Sequence, residues 1–287
     1  MTNAITLQQK TPEGKTLISE PVFNIFQAHL QPANNLSASQ AALSLANLAP
    51  KPNDGEKTLS DGFFFELWNS VIGVAEQIPH DHPAQDQLVK VMRELTLLPD
   101  TGLTVWDSPL WTSLPVLGAA IRERLNGPTY PPHPTAAQTR AVDESWVRFH
   151  AFAARLMGAG VVHSASQPVW MLRDALEQPP QEEEEEEVVA DRDLAAAAMY
   201  IEYAGAVLVE AVAANPEPAL GAELARLLRA GPLYGGAPGL SRERWGFWAK
   251  RFREEGGEEK GRSEEGRAVA GRAARLMEVW GETRLKG

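Results

Sequence analysis

Cysteine is absent from all 287 residues. Its absence excludes disulfides, thiolate catalysis and cysteine-ligated zinc, and it suits a reducing compartment. No stretch approaches the ~20 apolar residues that a bilayer-spanning helix needs. The opening residues, MTNAITLQQKTPEGKTL, carry neither an apolar h-region nor an Arg-rich amphipathic pattern. Alternating apolar and polar runs are missing, so no strand pattern is expected, and no segment recurs at a fixed period. Positive charge is in short supply: 27 Lys and Arg stand against 38 Asp and Glu, a net charge of −11. Such a chain has no global attraction to nucleic acid or to an anionic membrane surface.

Catalytic signatures are lacking too. There is no G-x-S-x-G elbow and no H-E-x-x-H pair. The Gly-rich run Gly235 to Gly239 has neither the GK[ST] ending nor the preceding strand of a phosphate loop. Ser164 and Ser166 stand near His163 without the strand–turn–helix setting of a nucleophile.

What the chain does contain is helical periodicity punctuated by Pro and Gly. The stretch from Ser60 to Leu98 shows it best. Phe64, Leu67, Trp68, Val71, Ala75 and Ile78 recur at the spacing of one buried helix face, and Leu88, Val91, Met92 and Leu95 carry a second. Pro79 stops the first helix, and Pro83 suits the opening turn of the next, with Asp81 or His82 as its cap. Further amphipathic segments follow to Trp280. The most apolar, Ala190 to Ala213, is expected near the centre of the core. The fold class expected is all-α: an irregular bundle of about eleven helices with a single core and no significant sheet. Residues 1–18 read as a flexible tail, and residues 19–281 as one helical domain. Six consecutive glutamates, Glu182 to Glu187, repel one another and mark a solvated acidic insert at about 178–188.

Several residues invite a chemical reading. His80 and His82 flank an aspartate as paired metal ligands can, yet a cap between helices already explains them. Trp106 and Trp111 lie in a proline-bearing connector, and both are expected to plug a groove between helices with each indole N–H on a carbonyl. The block SRERWGFWAKRF interleaves Arg242, Arg244, Lys250, Arg251 and Arg253 with Trp245 and Trp248. RNA stacking is one reading of it; core tryptophans with a solvated arginine rim is the favoured one, given the acidic whole. Arg122, Glu123 and Arg124 form a further charged cluster. Glu202 sits in the most apolar helix, where an unpaired carboxylate is costly, and Arg155 or Arg173 on neighbouring helices is its expected partner. The candidate pocket residues are therefore His80, His82, Trp106, Trp111, Arg155, Arg173 and Glu202. No catalytic residue, metal ligand or cofactor is assigned.

The succession ELW…IPHDHPAQDQLV, W…LPVLGAAIRERLNG, ESWVRFHAFAARLMGAG, VWMLRDALE, AAAMYIEYAGAVL and GPLYGGAPGLSRERWGFWAKRF resembles a family of fungal proteins known only as a domain of unknown function. The likeness runs from about Ser19 to Trp280. It implies an intracellular fungal protein, and it brings no activity, ligand or catalytic residue with it. The Glu run looks like a lengthened variable loop of such proteins. The expected function is a non-catalytic helical interaction or adaptor protein of the cytoplasm or nucleus. It would hold protein partners, with neither membrane nor nucleic acid among them. The alternative is a small-molecule-binding protein or enzyme with a pocket between helices.

Overall fold

The computed structural model describes residues 5–9, 18–31, 36–179, 186–258 and 262–285, with the backbone alone over 186–190. Among them are eleven α-helices and one two-stranded ribbon, so the protein is predominantly all-α. Contacts gather into two compact units, residues 1–162 and 163–287, where periodicity alone suggested one domain over 19–281. The acidic insert falls largely outside the described residues. So does most of the segment read as a tail, although residues 5–9 are described and Leu7 among them is buried.

In the first unit, α1 (Ser19–Leu30) packs on α2 (Ala38–Ala46), α3 (Gly62–Ala75) and α4 (Ala84–Thr96). The short α5 (Leu117–Arg124) lies on α3, and the long α6 (Ala136–Gly158) on α3 and α4. Capping boxes start two of these helices: Ser37 with Gln40 at α2, and Thr135 with Gln138 at α6. α3 buries Phe64, Leu67, Trp68, Val71, Ile72, Val74 and Ala75, the face its periodicity marked.

The His-Asp-His corner between α3 and α4 is held by backbone bonds. The fully buried Gln85 amide donates 3.0 Å bonds to the carbonyls of Ala75 and Ile78, satisfying the end of α3. His82 accepts the Ala84 N–H through Nδ1 at 3.1 Å, a cap on the start of α4. Helix termination accounts for this corner.

The connector after α4 contains a small antiparallel ribbon, β1 (Thr104–Val105) with β2 (Ser108–Pro109), that periodicity did not reveal. Its two-residue turn is Trp106–Asp107, both at positive φ (50° and 58°), as the turns that match strand twist require. Here the two tryptophans part company. Trp111 is buried against the edge of Phe64 at 6.1 Å. Trp106 sits at the ribbon's tip, 52% exposed, and its indole N–H bonds the Asp61 carboxylate at 3.0 Å rather than a carbonyl. A two-residue turn cannot fold its own side chain back into the core.

The second unit contains α7 (Ser166–Leu176), α8 (Glu186–Ala214), α9 (Ala222–Leu227), α10 (Arg242–Glu255) and α11 (Glu264–Arg284). α8 packs on α7, α10 and α11. Asp191–Ala214 is long and apolar enough to cross a membrane, contrary to the expectation that no stretch would be. Its burial by neighbouring helices is what a core helix shows as well. Tyr200 on this helix is fully enclosed, and burial alone pushes its phenol well above the ordinary value of 10.

Candidate functional site

The concavity with most to offer lies in the first unit. It follows from how α3 divides its faces. The large apolar residues turn inward, and the opposite face carries Glu66, Asn69, Ser70, Gly73 and Gln77, spaced at three and four residues. This row is the floor of a half-open cleft of about 660 Å³. Ser19 and Phe23 of α1 line it, as do Glu123 and Arg124 at the end of α5, and Gln8 and Gln9 of the extended segment 5–9.

Gly73 keeps the floor low. A Cβ built on it meets nothing within 4 Å, so the missing side chain relieves no clash; it leaves space. Gly in a helix interior costs about 0.5–1 kcal/mol relative to Ala. Gly73→Ala should therefore raise stability by about 0.5–1 kcal/mol in urea unfolding. A loss of stability would mean that packing, not space, requires the glycine.

Electrostatically the cleft is organised by one pair. Arg124 grips Glu76 with both prongs, Nε to Oε1 at 2.7 Å and Nη2 to Oε2 at 3.0 Å. Glu76 is nearly buried, while the Arg124 side chain is 42% exposed, so solvent screens the pair and its value is geometric more than energetic. Around it stand amides and hydroxyls. Gln77 is the best placed: its Nε2 bonds the Gly73 carbonyl at 2.8 Å, which leaves its Oε1 aimed at the N–H of Gln8, 2.7 Å away. Ser70 is spent on its own helix, bonding the Glu66 carbonyl at 2.8 Å.

None of the seven candidate pocket residues lines this cleft. His82 is occupied as a cap, and His80 shares its corner. Trp106 and Trp111 serve the ribbon and the core. Arg155 is buried and bonds Asp86 of α4 at 2.8 Å. Arg173 and Glu202 belong to the second unit. There Arg173 bonds its neighbour Asp174 at 2.7 Å. Glu202 pairs neither with Arg173 nor with Arg155; its partner is Arg272 of α11, at 3.0 Å. The pair is part-exposed, with side-chain exposures of 25% for Glu202 and 43% for Arg272. α8 leaves a narrow outer stripe through Ala206, Val207 and Glu210, and Glu202 lies at its margin.

Among the described residues a fully buried ion pair lies elsewhere, in the second unit. Glu177 and Arg244 are both 0% exposed. Arg244 Nε and Nη2 bond Glu177 at 2.7 and 3.0 Å, and the remaining guanidinium protons reach the carbonyls of Leu228, Arg229 and Gly239. Glu177 also accepts the Trp248 indole N–H at 2.7 Å and the Gly231 amide at 2.6 Å. Tyr234 and Trp248 place their rings 5.4 and 5.1 Å from the guanidinium. The reading of this block as core tryptophans holds for Trp245 and Trp248; the reading of its arginines as a rim fails at Arg244. Arg244 ties the two ends of the Gly/Pro loop 231–239 together, bonding the carbonyls of Leu228 and Arg229 before it and of Gly239 at its end. With all five guanidinium protons bonded and both Glu177 oxygens shared, the ion pair is a structural joint and not an open site.

Among the described residues, no three His, Asp or Glu side chains gather as a metal site would require. A family model described as "Protein of unknown function (DUF3632)" matches residues 68–252, from α3 to α10. The chain belongs to that family. No curated protein and no solved structure matches it.

Proposed function

We propose that this member of the family is a non-catalytic, intracellular fungal adaptor that holds segments of partner proteins in the cleft of its first unit. One observation carries the reading: side-chain amides and hydroxyls stand around the Glu76–Arg124 pair, with the carboxylates of Glu66 and Glu123 beside them. Asn69, Gln77 and Ser19 are the hydrogen-bonding kinds that receive peptide backbone, and Phe23 and Val74 supply apolar footing beside them. The lining has no His, Lys or Tyr; of its carboxylates Glu66, Glu76 and Glu123, Glu76 is held by Arg124. Lack of cysteine suits the intracellular assignment.

A second reading, a small-molecule binder, is favoured by volume, since about 660 Å³ falls within the usual range of roughly 300–1,000 Å³ for ligand pockets. The two separate in one experiment. A photo-crosslinking residue is placed at Asn69 in the full chain, in the cells that make it, with exposed Lys90 of α4 as the control position. A protein adduct is expected at Asn69 alone, and Gly73→Leu, which fills the cleft from its floor, should abolish it. Absence of that adduct, or its persistence in Gly73→Leu, would overturn the adaptor. A compound seen by native mass spectrometry on the purified chain and lost in Gly73→Leu would establish the small-molecule reading instead.

A further inference from the structure

The extended segment 5–9 forms one edge of this cleft through Gln8 and Gln9, and its own anchoring beside the cleft shows how that edge holds a peptide. Its residues have no secondary structure of their own, and Leu7 alone among them is buried. In an extended chain successive side chains alternate sides, so Thr6 and Gln8 project outward while Leu7 is taken in. The segment is fixed through its backbone. Gln31, just past α1, donates its Nε2 to the Ile5 carbonyl at 2.7 Å, and Gln77 accepts the Gln8 N–H at 2.7 Å. The Gln77 amide is pre-set for that role by its bond to the Gly73 carbonyl. Two backbone contacts three residues apart, with one aliphatic side chain seated between them, make a recognition pattern that specifies little sequence beyond that aliphatic residue.

We propose that residues 5–9 are an intramolecular stand-in for the partner: a strap that occupies one edge of the cleft and yields to an extended segment carrying an aliphatic residue at the place of Leu7. This rests on the adaptor reading and deepens it by naming the partner's chemistry and its regulation. Among the described residues the strap is held by two backbone bonds and the buried Leu7, so it opens readily. Because it is tethered, it competes at a high effective concentration. A partner therefore meets an apparent affinity lowered by the fraction of molecules whose strap is open. Anything that holds the strap away raises affinity without touching the cleft.

The test uses the full chain and a labelled, capped peptide of sequence ITLQQ, residues 5–9 themselves. By fluorescence anisotropy, Leu7→Asp protein, whose own strap cannot seat an aspartate, should bind the peptide at least tenfold more tightly than the unaltered protein. The same peptide with aspartate for leucine should not bind. Gln31→Ala or Gln77→Ala in the Leu7→Asp background should weaken binding several-fold. A readout on the unaltered chain guards against misfolding: excess ITLQQ should speed hydrogen exchange at the Gln8 amide, and the aspartate peptide should not. Equal binding by both proteins, no binding by either, or unchanged Gln8 exchange would overturn the proposal. The Asn69 crosslink separates this failure from that of the adaptor. An adduct that forms normally but ignores Leu7→Asp removes the strap and leaves the adaptor; loss of the adduct altogether removes both.

Discussion

Glu177→Ala should destabilise the second unit by roughly 3–5 kcal/mol, the cost of stranding a buried cation. Arg244 would keep its bonds to the carbonyls of Leu228, Arg229 and Gly239 but lose the only carboxylate that neutralises it. Gly231 and Trp248 would lose their acceptor at the same moment. Arg244→Met should cost a similar amount for the mirror reason. What distinguishes this cluster from an ordinary buried ion pair is the double variant Glu177→Leu/Arg244→Met. Replacing an isolated buried pair by apolar residues is often neutral or stabilising. Here the replacement strands the carbonyls of Arg229 and Gly239 and the N–H groups of Gly231 and Trp248, while the Leu228 carbonyl keeps the Gly239 N–H; each stranded group is worth about 1–3 kcal/mol where water cannot reach it. The double variant should thus be less damaged than the sum of the singles, yet remain well below the unaltered protein. Hydrogen exchange adds a local readout, since the Gly231 amide is bonded to the carboxylate itself and should lose protection in Glu177→Ala. Urea unfolding that shifts by less than about 1 kcal/mol, or full recovery in the double variant, would show that the loop is organised by its own turns.

Why was this pair not legible in the sequence, when so much else was? Helix faces are periodic, and periodicity survives without coordinates: the buried residues of α3 fall on the stripe their spacing marks, although the helix ends at Ala75 and not at Pro79 as expected. Caps are local, so the Pro-bounded His-Asp-His corner also reads as a helix junction, although nothing in the sequence marks Gln85, whose amide bonds the carbonyls of Ala75 and Ile78. Ion pairs are non-local. Glu177 and Arg244 are 67 residues apart, and nothing in either segment names the other. A faint signal existed: Arg244 precedes Trp248 by one helical turn and so shares its face, which argues against a solvated rim. Glu202 misled for the converse reason. An apolar helix need not be buried all round, and α11 supplied Arg272 at its margin. The cleft was hardest to see because it is made of what is small. Ser70 and Gly73 share a periodic polar face of α3 that reads as an ordinary solvated one, and residues 5–9 carry no pattern except one leucine in an extended run. Only the fold sets Gln31 and Gln77 against that run.

Gly205→Ala should destabilise the protein by about 1–3 kcal/mol, the scale of overpacking a filled core, and should reverse its sign when Trp280 is removed. α8 and α11 approach closely because Gly205 lets the indole of Trp280 lie across the α8 backbone. A Cβ placed on Gly205 falls 1.9 Å from Cζ3 and 2.4 Å from Cη2 of that ring, far inside contact distance. Two effects oppose each other. Alanine gains roughly 1 kcal/mol over glycine in a helix interior, but the methyl group must displace a half-buried indole from the groove it fills. The clash is too deep to be absorbed by a few tenths of an ångström, so the loss wins. In Trp280→Ala the ring is gone and its groove is partly void, which by itself should destabilise by about 2 kcal/mol or more. There the methyl of Gly205→Ala meets no ring and fills some of the void, so helix propensity and packing act in the same direction. The substitution then becomes stabilising by about 1 kcal/mol. Unfolding of the four proteins of this cycle in urea measures the reversal directly. If Gly205→Ala is neutral in the unaltered chain, the indole swings aside at no cost. If it destabilises equally in both backgrounds, something other than Trp280 demands the glycine. In either case close packing of α8 on α11 would not depend on this contact.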